Sequence, residues 1–166
     1  MTMVINVFNK ALPLMIFFTE LYISVKSIYI IKNKLKIDIF KEITDFFFII
    51  YIIYLFYIVT IPKFNYQISN FKLFNEILRY PIGSKLFIKN VLGNLFLFIP
   101  YSIYLSYRFK INKLYIIFIL ALLFSLTIEL IQTKIGRVFD IDDIILNTGS
   151  GIIGYYIFKI CNNKFK

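Results

Sequence analysis

Residues 125–154 read SLTIELIQTKIGRVFDIDDIILNTGSGIIG, two strongly apolar segments separated by a polar connector. A charged side chain costs roughly 2.5–3.5 kcal/mol at the centre of a membrane and less near its surface, so its presence in an apolar chain points to a role. The first candidates for a functional site are therefore the polar side chains of this stretch, namely Glu129, Gln132, Arg137, Asp140, Asp143 and Asn147.

The composition of the whole chain indicates an integral membrane protein. Of its 166 residues, 60% are hydrophobic and 17% are charged, and the mean hydropathy is +0.78. Soluble domains carry about 25% charged residues, so this chain falls outside their range. Its length allows one helical domain of four or five spans, which excludes a doubly wound enzyme core and a separate soluble domain.

The net charge of +10 raises the question of nucleic-acid binding. Most of the 19 Lys and Arg residues lie in short connectors between apolar segments, where they set membrane topology and anchor to lipid headgroups. We therefore predict membrane lipids as partners and no nucleic acid.

The residue inventory also limits the chemistry. Cys161 is the single cysteine, so no intrachain disulfide is possible. The chain has no His, which removes the usual zinc ligand and the usual general base near neutral pH. We predict no metal site and no cofactor, and any acid–base chemistry would be left to carboxylates.

Five apolar segments predict an all-α, polytopic transmembrane helix bundle. The segments cover residues 11–31, 43–61, 90–107, 114–133 and 144–160. The first contains Glu20 and Lys26 and resembles a signal peptide, but it has no small-residue cleavage site and leads into a second span, so we predict a helix. Pro100 predicts a kink in the third span.

The long connector 62–89 contains SNFKLFNEILRYP from Ser69, in which Phe71, Phe74 and Leu78 recur at helical spacing. This pattern predicts one short interfacial helix ending before Pro81. The predicted organisation is a first helix with a basic connector (1–42), a membrane domain (43–160) and a short basic tail (161–166).

Topology is expected to bring the scattered polar residues together. The third and fourth predicted spans form a hairpin, so Asn94, Glu129 and Asn147 all lie about 5–6 Å inside the same membrane face at 1.5 Å per residue. Asn90 lies one turn from Asn94, and Gln132 shares a helix face with Glu129. We define the polar crater as a floor formed by Asn94, Glu129 and Asn147 and a rim formed by Arg137, Asp140 and Asp143.

The distribution of basic residues predicts the orientation of the polar crater. The connectors on the opposite face carry the larger number of Lys and Arg residues, including Lys32, Lys34, Lys36, Arg108 and Lys110. By the positive-inside rule the crater faces the outside, the N-terminus is outside and the C-terminus is cytoplasmic, in a multi-pass protein of the plasma membrane.

Three separated motifs resemble the VanZ-like family of bacterial membrane proteins. They are NVLGNLFLFIPYSIYL from Asn90, SLTIELIQ from Ser125 and RVFDIDDIILNTGSGIIGY from Arg137. The resemblance implies a cell-envelope protein and, through the family's namesake, a role in resistance to the glycopeptide antibiotic teicoplanin. It carries the family pattern to Asn90, Gly93, Asn94, Pro100, Glu129, Gln132, Arg137, Asp140, Asp143, Asn147 and Gly151.

Three interpretations of the polar crater are open. The first, which we favour, is a non-enzymatic protein that binds or modulates a lipid headgroup or a lipid-linked cell-wall precursor, with Arg137 contacting phosphate or carboxylate. The second is a small intramembrane hydrolase or transferase acting on a lipid-linked phosphate, with Asp140, Asp143 and Glu129 as acid, base or magnesium ligands. The third is a scaffold in which these side chains lock helices together.

Overall fold

The computed structural model describes residues 2–33, 37–60, 69–75 and 77–164, and within these ranges every regular element is an α-helix. The chain divides into two compact units, residues 1–61 and 62–166. The helices are α1 (Thr2–Asn33), α2 (Ile39–Thr60), α3 (Lys85–Leu97), α4 (Ile99–Arg108), α5 (Leu114–Lys134) and α6 (Ile141–Lys164). The all-α prediction is confirmed.

Four stretches of the described residues are long and apolar enough to cross a membrane. They are Ile39–Val59, Lys85–Arg108, Leu114–Lys134 and Ile141–Asn162. These stretches coincide with the last four predicted spans, and at 1.5 Å per residue each exceeds the roughly 30 Å of a bilayer core. The protein is thus a membrane protein, and the crossing of its first helical segment stays a prediction.

The first unit is the pair α1 and α2, joined by one ionic cluster. The Lys26 ammonium lies 2.7 Å from an Asp45 carboxylate oxygen and 2.8 Å from a Glu42 carboxylate oxygen, and it also hydrogen-bonds the Tyr22 hydroxyl. Asp45 is buried, and the ion pair keeps its charge tolerable in an apolar setting. Lys26, one of the two charged residues of the first predicted span, therefore pairs α1 with α2.

In the second unit, α3 and α4 together form the third candidate span and meet at Phe98. The chain leaves the helical path there, and Pro100 lies in the first turn of α4, where the absence of its N–H has no cost. Phe98 is fully buried and stacks near Phe124 with ring centroids 5.4 Å apart. The predicted irregularity is observed as a one-residue interruption at Phe98, two residues before the proline.

Helix α6 packs against α3, α4 and α5 and forms the centre of this unit. Two of its glycines allow the close approach. A Cβ on Gly154 would lie 2.6 Å from the carbonyl oxygen of Ile99, and one on Gly151 would lie 2.7 Å from the Ala121 side chain. At the far end of α6 the hydroxyl of buried Tyr155 donates to the Asn112 carbonyl at 2.6 Å, which fixes the α4–α5 turn.

The connector before α3 differs from the prediction of an interfacial helix. Its described residues form a series of turns, because Phe74 has a positive φ of 63° that interrupts any helix. The backbone N–H groups of Phe74 and Ile77 donate to the carboxylate of Asp142 at 2.6 and 3.3 Å. Donors that a helix would bond internally are thus bonded to a distant side chain.

Candidate functional site at the junction of helices α3, α5 and α6

The rim of the polar crater begins where α5 ends. Gly136 adopts a φ of 82°, its N–H donates to the Thr133 carbonyl at 3.2 Å, and the Arg137 N–H donates to the Gln132 carbonyl at 2.9 Å. These two bonds form a Schellman motif, which needs the left-handed conformation that glycine tolerates best. The motif turns the chain back over the end of α5 and leaves Arg137 half-buried there.

Asp140 starts α6 and also holds the preceding connector. Its Oδ1 accepts the N–H of Asp142 at 2.9 Å, the bond of an N-cap residue, and the side-chain amide of Asn70 at 2.9 Å. Asn70 and Asp140 also form an isolated parallel β-bridge, with the Asn70 N–H donating to Phe139 at 2.8 Å and the Ile141 N–H donating to Asn70 at 3.2 Å. Asp140 therefore has a structural role.

Glu129 lies beneath the rim. It is 1% exposed, and its Oε2 accepts the backbone N–H of Asp140 at 3.1 Å. This bond places a carboxylate at the N-terminus of α6, where the helix dipole favours negative charge. Glu129 thus joins α5 to α6, and it faces the interior of the unit as the crater prediction requires.

The third contributor is Asp143, which joins α6 to α3. Its Oδ1 accepts a hydrogen bond from the Asn94 side-chain amide, across 49 residues of sequence. The charge of Arg137 interacts favourably with Asp143 and with Glu129. The structure therefore brings together Asn94, Glu129, Arg137 and Asp143 from three elements, as the depth argument from the sequence predicts.

Asn147 forms the floor one helical turn below Asp143. Its amide nitrogen donates to the hydroxyl of Ser125 at 3.0 Å, and Ser125 itself lies one turn below Glu129 on α5. Asn147 is 4% exposed, yet within the described residues its Oδ1 accepts no hydrogen bond. A buried amide oxygen with no donor is costly, so this atom is a marker for a ligand or a water.

The remaining predicted site residues differ in what the structure says of them. Gln132 is buried at the end of α5, where its carbonyl takes part in the Schellman motif. Asn90 belongs to α3, and its side chain lies outside the described residues. Among the residues that were described, no group of three His, Cys, Asp or Glu side chains is close enough to hold a metal ion.

Two contributors were missed by sequence reasoning, Asn70 and Asp142. Both bind the connector to the start of α6, and their partners lie 65 to 70 positions away in the chain. No periodicity or spacing signals a pairing over that distance. The Asx-type bond from the Lys72 N–H to the Asn70 side chain, at 3.1 Å, is the one local signal, because Asn favours such turns.

The electrostatics of the rim follow from burial. Burial raises the pKa of Asp140, and the hydrogen bond from Asn70 and the charge of Arg79 oppose the rise. Burial lowers the pKa of Arg137, while Asp143 and Glu129 oppose the fall. The rim charges are thus partly desolvated and mutually dependent, which is the environment in which electrostatic interactions gain strength.

The fold and this polar cluster together define a polytopic helical membrane protein with a charged, half-buried site at one end of its second unit. The chain belongs to the VanZ/LLP1 family, whose model matches residues 48–162. The match covers most of α2, all of α3, α4 and α5 and almost all of α6, and so includes every residue of the polar crater. No curated protein and no solved structure matches the chain.

Proposed function

We propose that this protein binds the headgroup of a membrane lipid or of a lipid-linked cell-wall precursor in its polar crater, and that it acts in the cell envelope without catalysing a reaction. The observation that carries the proposal is the convergence of Glu129, Arg137 and Asp143 from separate elements of an apolar chain. Ionisable groups held at membrane depth are functional candidates by default.

The residues of the cluster differ in their hydrogen bonds and in their exposure, and this difference supports ligand binding in addition to helix locking. Asp140 and Asp142 each accept two hydrogen bonds that build the connector and the start of α6. Arg137 and Asp143 are only half-buried, and Arg137 directly follows the exposed residues 133–136. Asp142 is thus fully used in holding the connector, whereas Arg137 and Asp143 combine contacts within the cluster with partial exposure.

The same division argues against the enzyme interpretation. Of the three candidate catalytic carboxylates, Asp140 uses its Oδ1 as an N-cap acceptor and Glu129 uses its Oε2 on the Asp140 N–H. A general acid or base needs a proton-exchanging oxygen directed at the substrate. Asp143 is half-buried, hydrogen-bonds the Asn94 side chain and interacts with the charge of Arg137, which suits recognition.

The family name links this class of protein to glycopeptide resistance, and that link supplies the first test. We expect expression in a teicoplanin-susceptible Gram-positive host to raise the inhibitory concentration of teicoplanin. We expect Asp143→Asn and Arg137→Ala to return it to the vector level, because each substitution removes one charge from the cluster while leaving α5 and α6 intact.

Asp38→Asn is the matched control, since Asp38 is exposed, belongs to the first unit and forms an ion pair with its neighbour Lys41 at 2.8 Å. Membrane accumulation of all variants is measured by immunoblot. Wild-type resistance in both cluster variants would contradict the proposal, and loss of both proteins from the membrane would favour the scaffold interpretation.

A further inference from the structure

The polar crater itself carries more negative than positive side-chain charge, with Glu129, Asp140 and Asp143 against Arg137. Four carboxylates, those of Glu129, Asp140, Asp142 and Asp143, lie at the end of α5 and in the first turn of α6. Two guanidinium groups interact with them, Arg137 with Asp143 and Glu129, and Arg79 with Asp140. The fixed side-chain charges thus leave a negative excess at the half-buried end of the unit.

Helix dipoles do not cancel that excess. The N-terminus of α6 contributes about half a positive charge, and the C-terminus of α5 contributes about half a negative charge at the same place. The last carbonyls of α5 accept the two hydrogen bonds of the Schellman motif at Gly136, next to Arg137. The two dipoles offset each other, so the side chains decide the sign of the site.

A separate observation points to a hydrogen-bond donor as the ligand. Asn147 lies one turn beneath Asp143 on α6, and its amide spans toward Ser125, one turn beneath Glu129 on α5. Its Oδ1 is buried and accepts no hydrogen bond among the described residues. The ionised carboxylates and the unpaired amide oxygen beneath them can only accept hydrogen bonds. They therefore match a ligand group that carries several N–H donors.

The surface around the acidic centre carries the opposite charge. The connector that Asp140 and Asp142 bind to α6 presents exposed Lys72 and Arg79, and exposed Lys85 begins α3. A phosphate is attracted to such side chains. The arrangement is therefore acidic at the centre and basic at the edge.

Resting on the proposed function above, we propose that the ligand is a zwitterionic lipid headgroup bearing a primary ammonium group. The ammonium lies among Glu129, Asp143 and the Asn147 oxygen, and the phosphate of the same headgroup lies with the basic side chains of the edge. An ammonium provides three donors, which suits a centre formed by several acceptors.

The test compares three lipids on the purified full chain by native mass spectrometry. Phosphatidylethanolamine carries the ammonium, N-acetylated phosphatidylethanolamine keeps the phosphate and loses the ammonium, and phosphatidylglycerol is anionic. We expect phosphatidylethanolamine to bind about tenfold more tightly than the other two, the scale of one charge-assisted hydrogen bond. Equal binding of the N-acetylated lipid would overturn the ammonium assignment.

Variants locate the binding. Asp143→Asn keeps an oxygen that can accept from Asn94 and removes the charge, so it should abolish the preference for phosphatidylethanolamine; Asp38→Asn should leave it intact. Glu129→Gln serves as a second variant, and melting temperatures in detergent verify folding. Even if both cluster variants fail to fold, the comparison of the three lipids on the wild-type chain decides whether the bound group is positively charged.

The outcomes separate this inference from the proposed function. Tighter binding of phosphatidylglycerol that still depends on Asp143 would overturn the ammonium assignment and leave headgroup binding in place. Binding of all three lipids that is indifferent to Asp143 and Glu129 in folded variants would overturn both.

Discussion

At the scale of single residues, Asp140 shows how one carboxylate serves as both a helix cap and a tertiary contact. Its Oδ1 is the acceptor for Asp142 within α6 and for Asn70 from the connector. Burial nevertheless raises the pKa of Asp140, which means that the folded protein disfavours the charged form of this side chain. The geometry requires the oxygen, whereas the charge itself opposes folding.

This distinction predicts opposite outcomes for two substitutions of Asp140. Asp140→Asn keeps an amide oxygen as acceptor and removes the buried charge, so its melting temperature in detergent at pH 7 should equal or exceed that of the wild type. Asp140→Ala leaves the donors of Asn70 and Asp142 without an acceptor and should lower stability by about 1–3 kcal/mol.

The pH dependence follows from the sign of the pKa change. A carboxyl group with a raised pKa in the folded state favours folding at low pH, and that contribution is lost as the pH rises through its folded pKa. The difference in melting temperature between wild type and Asp140→Asn should therefore shrink on acidification. A wild type that melts above Asp140→Asn at pH 7 and loses this advantage on acidification would show that the charged form stabilises the fold.

Sequence reasoning located some of these side chains and missed others for a physical reason. Asn94 and Asp143 were placed together because helix rise fixes the depth of each residue once the spans are known. The bonds that join Asn70 to Asp140 and Asp142 to the connector were not predicted, because that connector is irregular and has no constant rise per residue. Its path is fixed by long-range bonds such as that from Phe74 to Asp142, which appear only in the folded chain.

At the scale of elements, the glycines of α6 control how closely the helices of the second unit pack. Gly154 faces the backbone of α4 at Ile99, where an added Cβ would approach a carbonyl oxygen to 2.6 Å. Gly149 has no atom within 4 Å of the position that a Cβ would occupy. The same residue type is thus required by packing at one position and unconstrained at the other.

These two positions form a matched pair for a stability measurement. Gly154→Ala should destabilise the protein by about 1–3 kcal/mol, because the backbone of α4 cannot yield as a side chain can. Gly149→Ala should be neutral or stabilise by up to about 1 kcal/mol through helix propensity. Thermal melts of both variants in the same detergent decide the point, and equal melting temperatures would contradict the packing seen at Ile99.

The helices themselves were largely predictable from hydropathy, whereas the connector before α3 was not. The span predicted at residues 114–133 is observed as the helix Leu114–Lys134, because a charged residue bounds the apolar segment on each side. The pattern of Phe71, Phe74 and Leu78 suggested a helix, yet all three are exposed. An interfacial helix would also expose these side chains to lipid, so the conformation is decided instead by the positive φ of Phe74 and by the bonds of the connector to Asp142.

At the scale of the whole molecule, the orientation in the membrane stays a prediction that the single cysteine makes easy to test. At 1.5 Å per residue, the 24 residues of α6 extend about 36 Å, so its two ends lie near opposite membrane faces. Lys134 at the end of α5 and Asn162 at the end of α6 are both exposed.

In a Cys161→Ser background, we expect Lys134→Cys to react with a membrane-impermeant maleimide in intact cells. Asn162→Cys should react only after permeabilisation, because the positive-inside rule places the C-terminus in the cytoplasm. The reverse pattern would place the polar crater on the cytoplasmic side, and a precursor on the outer leaflet would then be excluded as its ligand.

The bonds between Asn70, Phe74 and the start of α6 also order events during synthesis. The connector leaves the ribosome some 65 to 70 residues before the carboxylates of Asp140 and Asp142 that hold it. Until those carboxylates are made and α6 enters the bilayer, the Phe74 N–H lacks its acceptor. The connector therefore gains these bonds only when the last helix is in place, so the part of the chain synthesised first is completed by the part synthesised last.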